Sequence, residues 1–264
     1  MMALEPGKEL SEDILLDIHR AADLIRLVKN GVVLTGAGIS TPSGISDFRS
    51  AGSGLWNRYD PLEVASLTAF RYHPEKFFRW MRSIAMGIQQ AQPNPAHIAL
   101  VQLERAGYVH TVITQNIDGL HQRAGSRHVL EVHGSLSTLS CIGCFQQFDA
   151  AGFIGPYLER GEIPRCPECD QILKPDVVLF EEQLPIRTWM KAKAACQSCS
   201  FLLVAGSSLE VVPAANLPIE ALARGAKLVL INQSPTYLDV RAEVLLRGDV
   251  AEIIPCIAAE VIGA

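Results

Sequence analysis

The sequence predicts an α/β fold, a doubly wound parallel sheet that carries a smaller domain. Three observations lead there. Short apolar, β-branched runs alternate with amphipathic helical patterns, as in parallel sheets covered by helices on both faces. The first such run ends in a glycine-rich turn. Two stretches, 50–92 and 136–174, break the rhythm and read as insertions that together build the smaller domain.

The elements follow in chain order. Ser11 stands as N-cap before a helix over 11–29, with Ile14, Ile18, Ala21, Ala22, Ile25 and Val28 at three- and four-residue spacing and Gly31 as its stop. Val32–Thr35 is the first strand. Residues 50–92 hold a glycine-rich segment, then a helical pattern through Phe77, Phe78, Met81 and Ile84. Asn94-Pro95 opens the next helix, a cap followed by proline at the first position, running through Ile98, Val101 and Leu103 to Gly107. Strands are predicted at Val109–Thr114, Phe201–Ala205, Lys227–Ile231 and Val244–Leu246, with a helix over Pro213–Arg224 closed by Gly225.

Composition narrows the function class. With 48% hydrophobic residues and a net charge of −5, the 264-residue chain is no disordered polymer. Its 23 basic against 28 acidic residues count against a nucleic-acid binder. No apolar run approaches the roughly 18 residues of a membrane span. Met1-Met2-Ala3-Leu4-Glu5-Pro6 lacks a secretory leader's charged and apolar regions, so a cytoplasmic enzyme is expected. In a reducing compartment seven cysteines are not a disulfide framework.

Four of the seven form a pattern. Cys141-Ile142-Gly143-Cys144 is followed after twenty-one residues by Cys166-Pro167-Glu168-Cys169. Two such knuckles bring four thiolates to one tetrahedral zinc, and four protein ligands make the site structural. Cys196-Gln197-Ser198-Cys199 has no matching second pair; with Cys256, these thiols are read as buried or half-buried small residues.

Two further segments carry chemistry. In Thr35-Gly36-Ala37-Gly38-Ile39-Ser40-Thr41-Pro42-Ser43-Gly44 a glycine turn after a strand lets backbone N–H groups approach a pyrophosphate. A tight strand-to-loop turn explains the same glycines equally well. The third glycine is displaced to Gly44, and the next strand lacks the acidic residue that holds a ribose. Thr114-Gln115-Asn116-Ile117-Asp118-Gly119-Leu120-His121 sits at a strand's carboxyl end, where such sheets bind ligands. His133, between a strand end and Gly134, is the candidate base.

In order along the chain stand Gly36-Ala37-Gly38-Ile39-Ser40, Asp47-Phe48-Arg49, Gln115-Asn116-Ile117-Asp118, His133-Gly134 and the two cysteine knuckles. Lys174 to Phe180, Gly206-Ser207-Ser208-Leu209 and Ile231-Asn232 complete the set. From about Ala21 to Ile254 the chain resembles the sirtuins, NAD-dependent protein-lysine deacylases. The resemblance implies a Rossmann-like large domain over about 1–49, 93–135 and 175–264. The small domain would be a helical part, about 50–92, and a zinc ribbon, about 136–174.

The resemblance also implies roles. Gly36, Ala37, Gly38 and Thr41, with Phe48 and Arg49, would line an NAD pocket and its mobile lid. Gln115 belongs to the same pocket; Asn116, Ile117 and Asp118 would hold the nicotinamide. Gly206, Ser207 and Ser208 would meet phosphate or ribose, and Asn232 the adenosine ribose. Val178, Phe180 and Val211 would flank an acyl-lysine peptide as a strand between strands. His133 would act as general base on a ribose hydroxyl, with Asn116 and Asp118 also catalytic. The products would be free lysine, nicotinamide and O-acetyl-ADP-ribose. A monomer is expected.

Ser46, Ser207, Lys174 and Glu181 depart from the family's usual proline, threonine, arginine and glycine. Met81 and Ile84 stand where the succinyl-preferring branch carries Tyr-x-x-Arg, which predicts a neutral acyl preference. Tyr157-x-x-Arg160 has that spacing but lies in the zinc insert. Two other readings stay open: mono-ADP-ribosyl transfer or NAD hydrolysis at the same pocket, and a non-enzymatic NAD-sensing docking module.

Overall fold

A computed structural model of the chain describes residues 10–49, 52 and 54–263. The reading of Met1–Pro6, and Ser50, Ala51 and Ser53 of the glycine-rich segment, lie outside the described residues.

Helix α1 spans Glu12–Val28 and buries Ile18, Ala21, Ala22 and Ile25, with Ser11 accepting the Ile14 amide proton at 3.4 Å. It ends before the expected stop. Lys29 and Asn30 make the turn at φ 47° and 51°, and Gly31 already belongs to strand β1, Gly31–Thr35. Glycine is needed there for space, since a Cβ would lie 2.0 Å from the Phe201 ring. Helices α2 (Pro61–Val64), α3 (Leu67–Tyr72) and α4 (Pro74–Gln90) follow. Helix α5, Pro95–Arg105, is capped by Asn94 as expected, but Ile98 points outward and is exposed. Its apolar stripe runs through Ala96, Ala99, Leu100 and Leu103 instead.

Strand β2 is Val109–Thr114, α6 Leu120–Ala124, and β3 Val129–Glu131. The cysteine-bearing stretch contains β4 (Gly134–Cys141), β5 (Gln147–Asp149), α7 (Ala151–Arg160) and β6 (Leu173–Val177). Then come α8 (Ile186–Ser198), β7 (Phe201–Ala205), α9 (Leu217–Leu222), β8 (Lys227–Ile231), β9 (Val244–Leu246) and α10 (Val250–Gly263). The helix expected over Pro213–Arg224 is shorter. A 3₁₀ turn fills Ala214–Asn216, and α9 starts at Leu217 with Pro218 in its first turn, where a missing N–H costs nothing.

Six strands form one parallel sheet in the order β3-β2-β1-β7-β8-β9. Period-two side-chain alternation sends Val33 to the face covered by α1, α5 and α10 and Val32 and Leu34 to the face covered by α8 and α9. Both faces are apolar, so the strands read as continuous hydrophobic runs. A second sheet, β5-β4-β6, is antiparallel. Phe77, Phe78, Trp80 and Met81 of α4 share one apolar core with Tyr157 and Leu158 of α7, which joins the two insertions.

Candidate active site

The sheet's order reverses between β1 and β7, and the loops leaving their carboxyl ends diverge there to open a crevice. The crevice floor is backbone. A Cβ on Gly36 or Gly38 would lie 2.9 or 2.8 Å from the Gly206 carbonyl oxygen. One on Gly206, at φ 61°, would lie 2.4 Å from the Ile39 nitrogen. These glycines are thus required by contact between two loops. The amides of Gly36, Gly38, Ile39 and Ser40 all donate to protein carbonyls, while those of Ala37 and Thr41 have no main-chain acceptor. This turn thus presents the N–H groups of Ala37 and Thr41. Thr41 lies at its end, its hydroxyl donating to the Gly38 carbonyl at 3.0 Å.

Beside the floor lies a polar knot from the loop after β2. Asn116 Nδ2 donates to the Gly36 carbonyl at 3.1 Å and to Ser40 Oγ at 3.0 Å; Ser40 Oγ donates to Asp118 Oδ2 at 2.7 Å. The other Asp118 oxygen accepts the Leu120 amide proton at 2.9 Å. Ser40 is buried and fixes both side chains, a function its place in the Gly-Ala-Gly-Ile-Ser run could have signalled. Gln115 Nε2 donates to Ser207 Oγ at 2.9 Å, tying this loop to the one after β7. Ile117 packs toward the α4 core, Ser208 lines the crevice, and Asn232 closes it from the end of β8.

His133 sits immediately before β4. Its Nδ1 is 3.0 Å from the Gln115 carbonyl oxygen, an acceptor only, so Nδ1 holds the proton and Nε2 carries the free lone pair. Burial lowers its pKa below the ordinary 6.5; the Gln115 contact opposes this, and the Arg49 charge adds to it. A neutral imidazole with Nε2 unprotonated is a base ready for use. The Gly134 that follows is obligatory: its φ is 78° and a Cβ would lie 2.0 Å from the Asp176 carbonyl.

The chain after β6 forms the other wall. Val178 donates its amide proton to the His133 carbonyl at 2.7 Å. Phe180 exchanges backbone bonds with Ala65 and Leu67, both 3.0 Å. Val211 stands across the opening, and Arg49 reaches Glu210 at 2.9 Å beside it. Phe48 packs on Trp56 with ring centroids 5.0 Å apart, and Trp56 on Phe180 at 6.1 Å. Lys174 is held by Glu182 at 2.9 Å and by two carbonyls. All predicted cofactor and substrate residues line this one cleft of about 1090 Å³, with Met81 and Ile84 on its apolar side. Tyr157 is buried and donates to the Phe78 carbonyl, while Arg160 is exposed and pairs with Glu162; neither lines the cleft.

The four predicted ligands meet away from the cleft. Cys141, Cys144, Cys166 and Cys169 place their sulfurs within 4.8 Å of one another, two pairs at 3.4 and 3.6 Å. A zinc tetrahedron with bonds of about 2.3 Å has edges of about 3.8 Å, and a disulfide is far shorter, so the set fits the ion. The amides of Gly143 and Cys144 donate to Cys141 Sγ, which favours a thiolate. Cys196 and Cys199 are buried and Cys256 half-buried.

Comparison with known proteins agrees with this geometry. A sequence model of the Sir2 family matches residues 36–213. The NAD-dependent protein deacylase 2 of Archaeoglobus fulgidus is 47% identical over 247 residues, covering 93% of this chain and 96% of the relative. NAD-dependent protein deacetylase 1 of Geobacillus kaustophilus is 44% identical, covering 83% and 87%. Among solved structures, one described as the structural basis for the mechanism and regulation of Sir2 enzymes superposes with TM-score 0.89 at 46% identity, covering 95% and 98%. A Sir2–p53 peptide–NAD+ complex gives 0.84 at 38%, covering 92% and 98%. A Sir2Af2 complex with a myristoylated histone peptide gives 0.80 at 41%, covering 94% and 97%. Identity of this order along nearly the whole chain, with the cleft and cysteine cluster in place, means that the chain belongs to the Sir2 family.

Proposed function

We propose that this chain is an NAD-dependent protein-lysine deacylase with a structural zinc. The carrying observation is His133: a neutral base whose Nε2 is free, seated between the polar knot and the Val178–Phe180 wall. Relatives named NAD-dependent deacylases, and a relative's complex with both NAD+ and a peptide, support the same reading. NAD, as co-substrate, supplies a nicotinamide leaving group and a ribose. Asn116 and Asp118 hold the nicotinamide end, and Asn232 the adenosine ribose. Ala37, Ser207 and Ser208 meet the phosphates and ribose with backbone and hydroxyl donors. His133 Nε2 takes a proton from a ribose hydroxyl, and its Nδ1 bond to Gln115 keeps it in the accepting tautomer. The acyl-lysine peptide lies between Val178–Phe180 and Val211.

Met81 and Ile84 present an apolar floor, and behind Met81 a small apolar cavity of about 40 Å³ is lined by Phe78, Leu136 and Phe153. Neither Met81 nor Ile84 offers a carboxylate a guanidinium partner, so acetyl and other neutral acyl groups are favoured over succinyl. No described helix is long and apolar enough to cross a membrane; action on cytoplasmic proteins as a monomer is part of this proposal.

The test is a mass-spectrometric assay of acetyl-, succinyl- and long-acyl-lysine peptides with and without labelled NAD. NAD-dependent release of lysine with label in acylated ADP-ribose is expected. Label retained on protein, or free ADP-ribose without deacylation, would overturn the reading in favour of ADP-ribosyl transfer or NAD hydrolysis.

A further inference from the structure

Beneath the polar knot lies a second, drier one that the proposed chemistry does not touch. Thr35 and Thr114 end adjacent parallel strands and face each other in register. Thr35 Oγ1 donates to Thr114 Oγ1 at 2.8 Å, and Thr114 Oγ1 also accepts the Asn116 amide proton at 3.1 Å. His121 Nε2 lies 2.9 Å from Thr35 Oγ1. All three side chains are at most 2% exposed.

The donor count fixes the histidine tautomers. Thr35 spends its one hydroxyl proton on Thr114, so His121 Nε2 must be the donor to Thr35 and its Nδ1 the bare acceptor. Next to it, His97 Nδ1 accepts the Asn94 amide proton at 3.4 Å, which leaves Nε2–H as its donor. His121 Nδ1 and His97 Nε2 are the two ring atoms left without partners, an acceptor and a donor, on rings whose centroids are 4.9 Å apart. Burial keeps both rings neutral, lowering His97 to about 4 and His121 to about 3. Asn94 Nδ2 completes the line by donating to the Ile39 carbonyl and to Ser43 Oγ, on the loop after β1.

Buried polar groups are costly unless hydrogen-bonded, and this line is bonded throughout except at the two facing ring nitrogens. Here the line begins at the Asn116 amide. The same two threonines also supply backbone acceptors: Thr35 O takes the Gln115 amide proton and Thr114 O that of Val132, at 3.0 Å each. Gln115 in turn orients His133. We propose that Thr35, Thr114 and His121 are positioning residues of the active site, holding Asn116 directly and His133 through Gln115 from below.

This rests on the deacylase reading, and the experiment separates the two. If wild type shows no NAD-dependent deacylation, that reading fails by itself. Given an active wild type, Thr35→Val keeps shape and removes the hydroxyl, while Thr35→Ser keeps the hydroxyl. Thr35→Val is expected to lower kcat about tenfold, the equivalent of about 1.4 kcal/mol, with peptide KM, zinc content and circular dichroism unchanged. Thr35→Ser should restore most of that loss. A structural readout accompanies it: ¹⁵N spectra of histidine-labelled wild type should show His121 neutral and protonated at Nε2 at pH 5.5. Equal kcat for Thr35→Val and wild type, or a His121 protonated at Nδ1, would overturn the proposal.

Discussion

Glu181, at φ 76°, accepts the Thr68 amide proton on Oε2 at 2.9 Å. A glutamate thus holds a backbone conformation that usually falls to glycine, and its side chain ties the peptide wall to the start of α3. The Thr68 hydroxyl and amide, then Arg71, keep its carboxyl below the usual range. Glu181→Ala should raise peptide KM severalfold and leave NAD KM unchanged, since it loses the tie but not the strain. Glu181→Gly should fall between Ala and wild type, because glycine removes the strain. Steady-state kinetics varying each substrate in turn checks this; equal peptide KM for all three refutes it.

His133 gives a pH signature. Its folded pKa lies below 6.5, with burial the main cause and Arg49 adding to it. The neutral, competent form therefore persists below pH 6.5, and kcat/KM should fall only as pH drops through the depressed value. His133→Ala should cost about 10²–10⁴-fold in kcat with fold and zinc intact. Arg49→Met should move the acid limb upward, toward 6.5, as read from a pH–rate profile.

Acid stability should follow from the buried histidine pair. The unfolded chain takes up protons near pH 6.5, whereas folded His97 and His121 resist until about 4 and 3. Stability is therefore fully present above pH 6.5 and declines on acidification, by up to about 1.4 kcal/mol per pH unit for each ring. Urea unfolding at pH 7.5, 6, 5 and 4.5 measures the slope. His121→Phe should flatten it even if it lowers stability at pH 7.5.

Metal analysis should return one zinc per chain. Cys166→Ser should lose the zinc and, with it, order around β4 and β6, whereas Cys196→Ser should keep the full metal content. Because β4 begins at Gly134, next to His133, zinc loss should also abolish turnover. Hydrogen exchange over 134–177 separates this local effect from global unfolding.

Acyl choice is tested by rebuilding the floor. Wild type should deacetylate faster than it desuccinylates on the same peptide. Met81→Tyr combined with Ile84→Arg should shift that ratio toward succinyl by supplying a guanidinium partner. A wild type that prefers succinyl contradicts the apolar-floor argument.

Much of this was legible in the residues. Val109–Thr114, Phe201–Ala205, Lys227–Ile231 and Val244–Leu246 appear with the predicted bounds because buried parallel strands are plain apolar runs. The Asn94-Pro95 cap and the cysteine spacing were equally direct. Other features depend on contacts that local pattern does not carry. Strand β3 is three residues long, and α10 is so apolar that it shows no clear polar face. The histidine pair is assembled from α5 and α6, and nothing near either ring in sequence announces the other. The glycines were readable as a turn, but their reason lies at Gly206, far along the chain.

That glycine contact has a consequence for divergence. Gly36, Gly38 and Gly206 bring two peptide planes together without any intervening side chain, so one added methyl at any of them must pry the strand ends apart. The rim differs, because Ile84 is half-buried and Glu181 and Glu210 are exposed, so a change there displaces no packed main chain. The cleft is therefore far less tolerant of an added methyl at Gly36, Gly38 and Gly206 than of a changed side chain at its mouth.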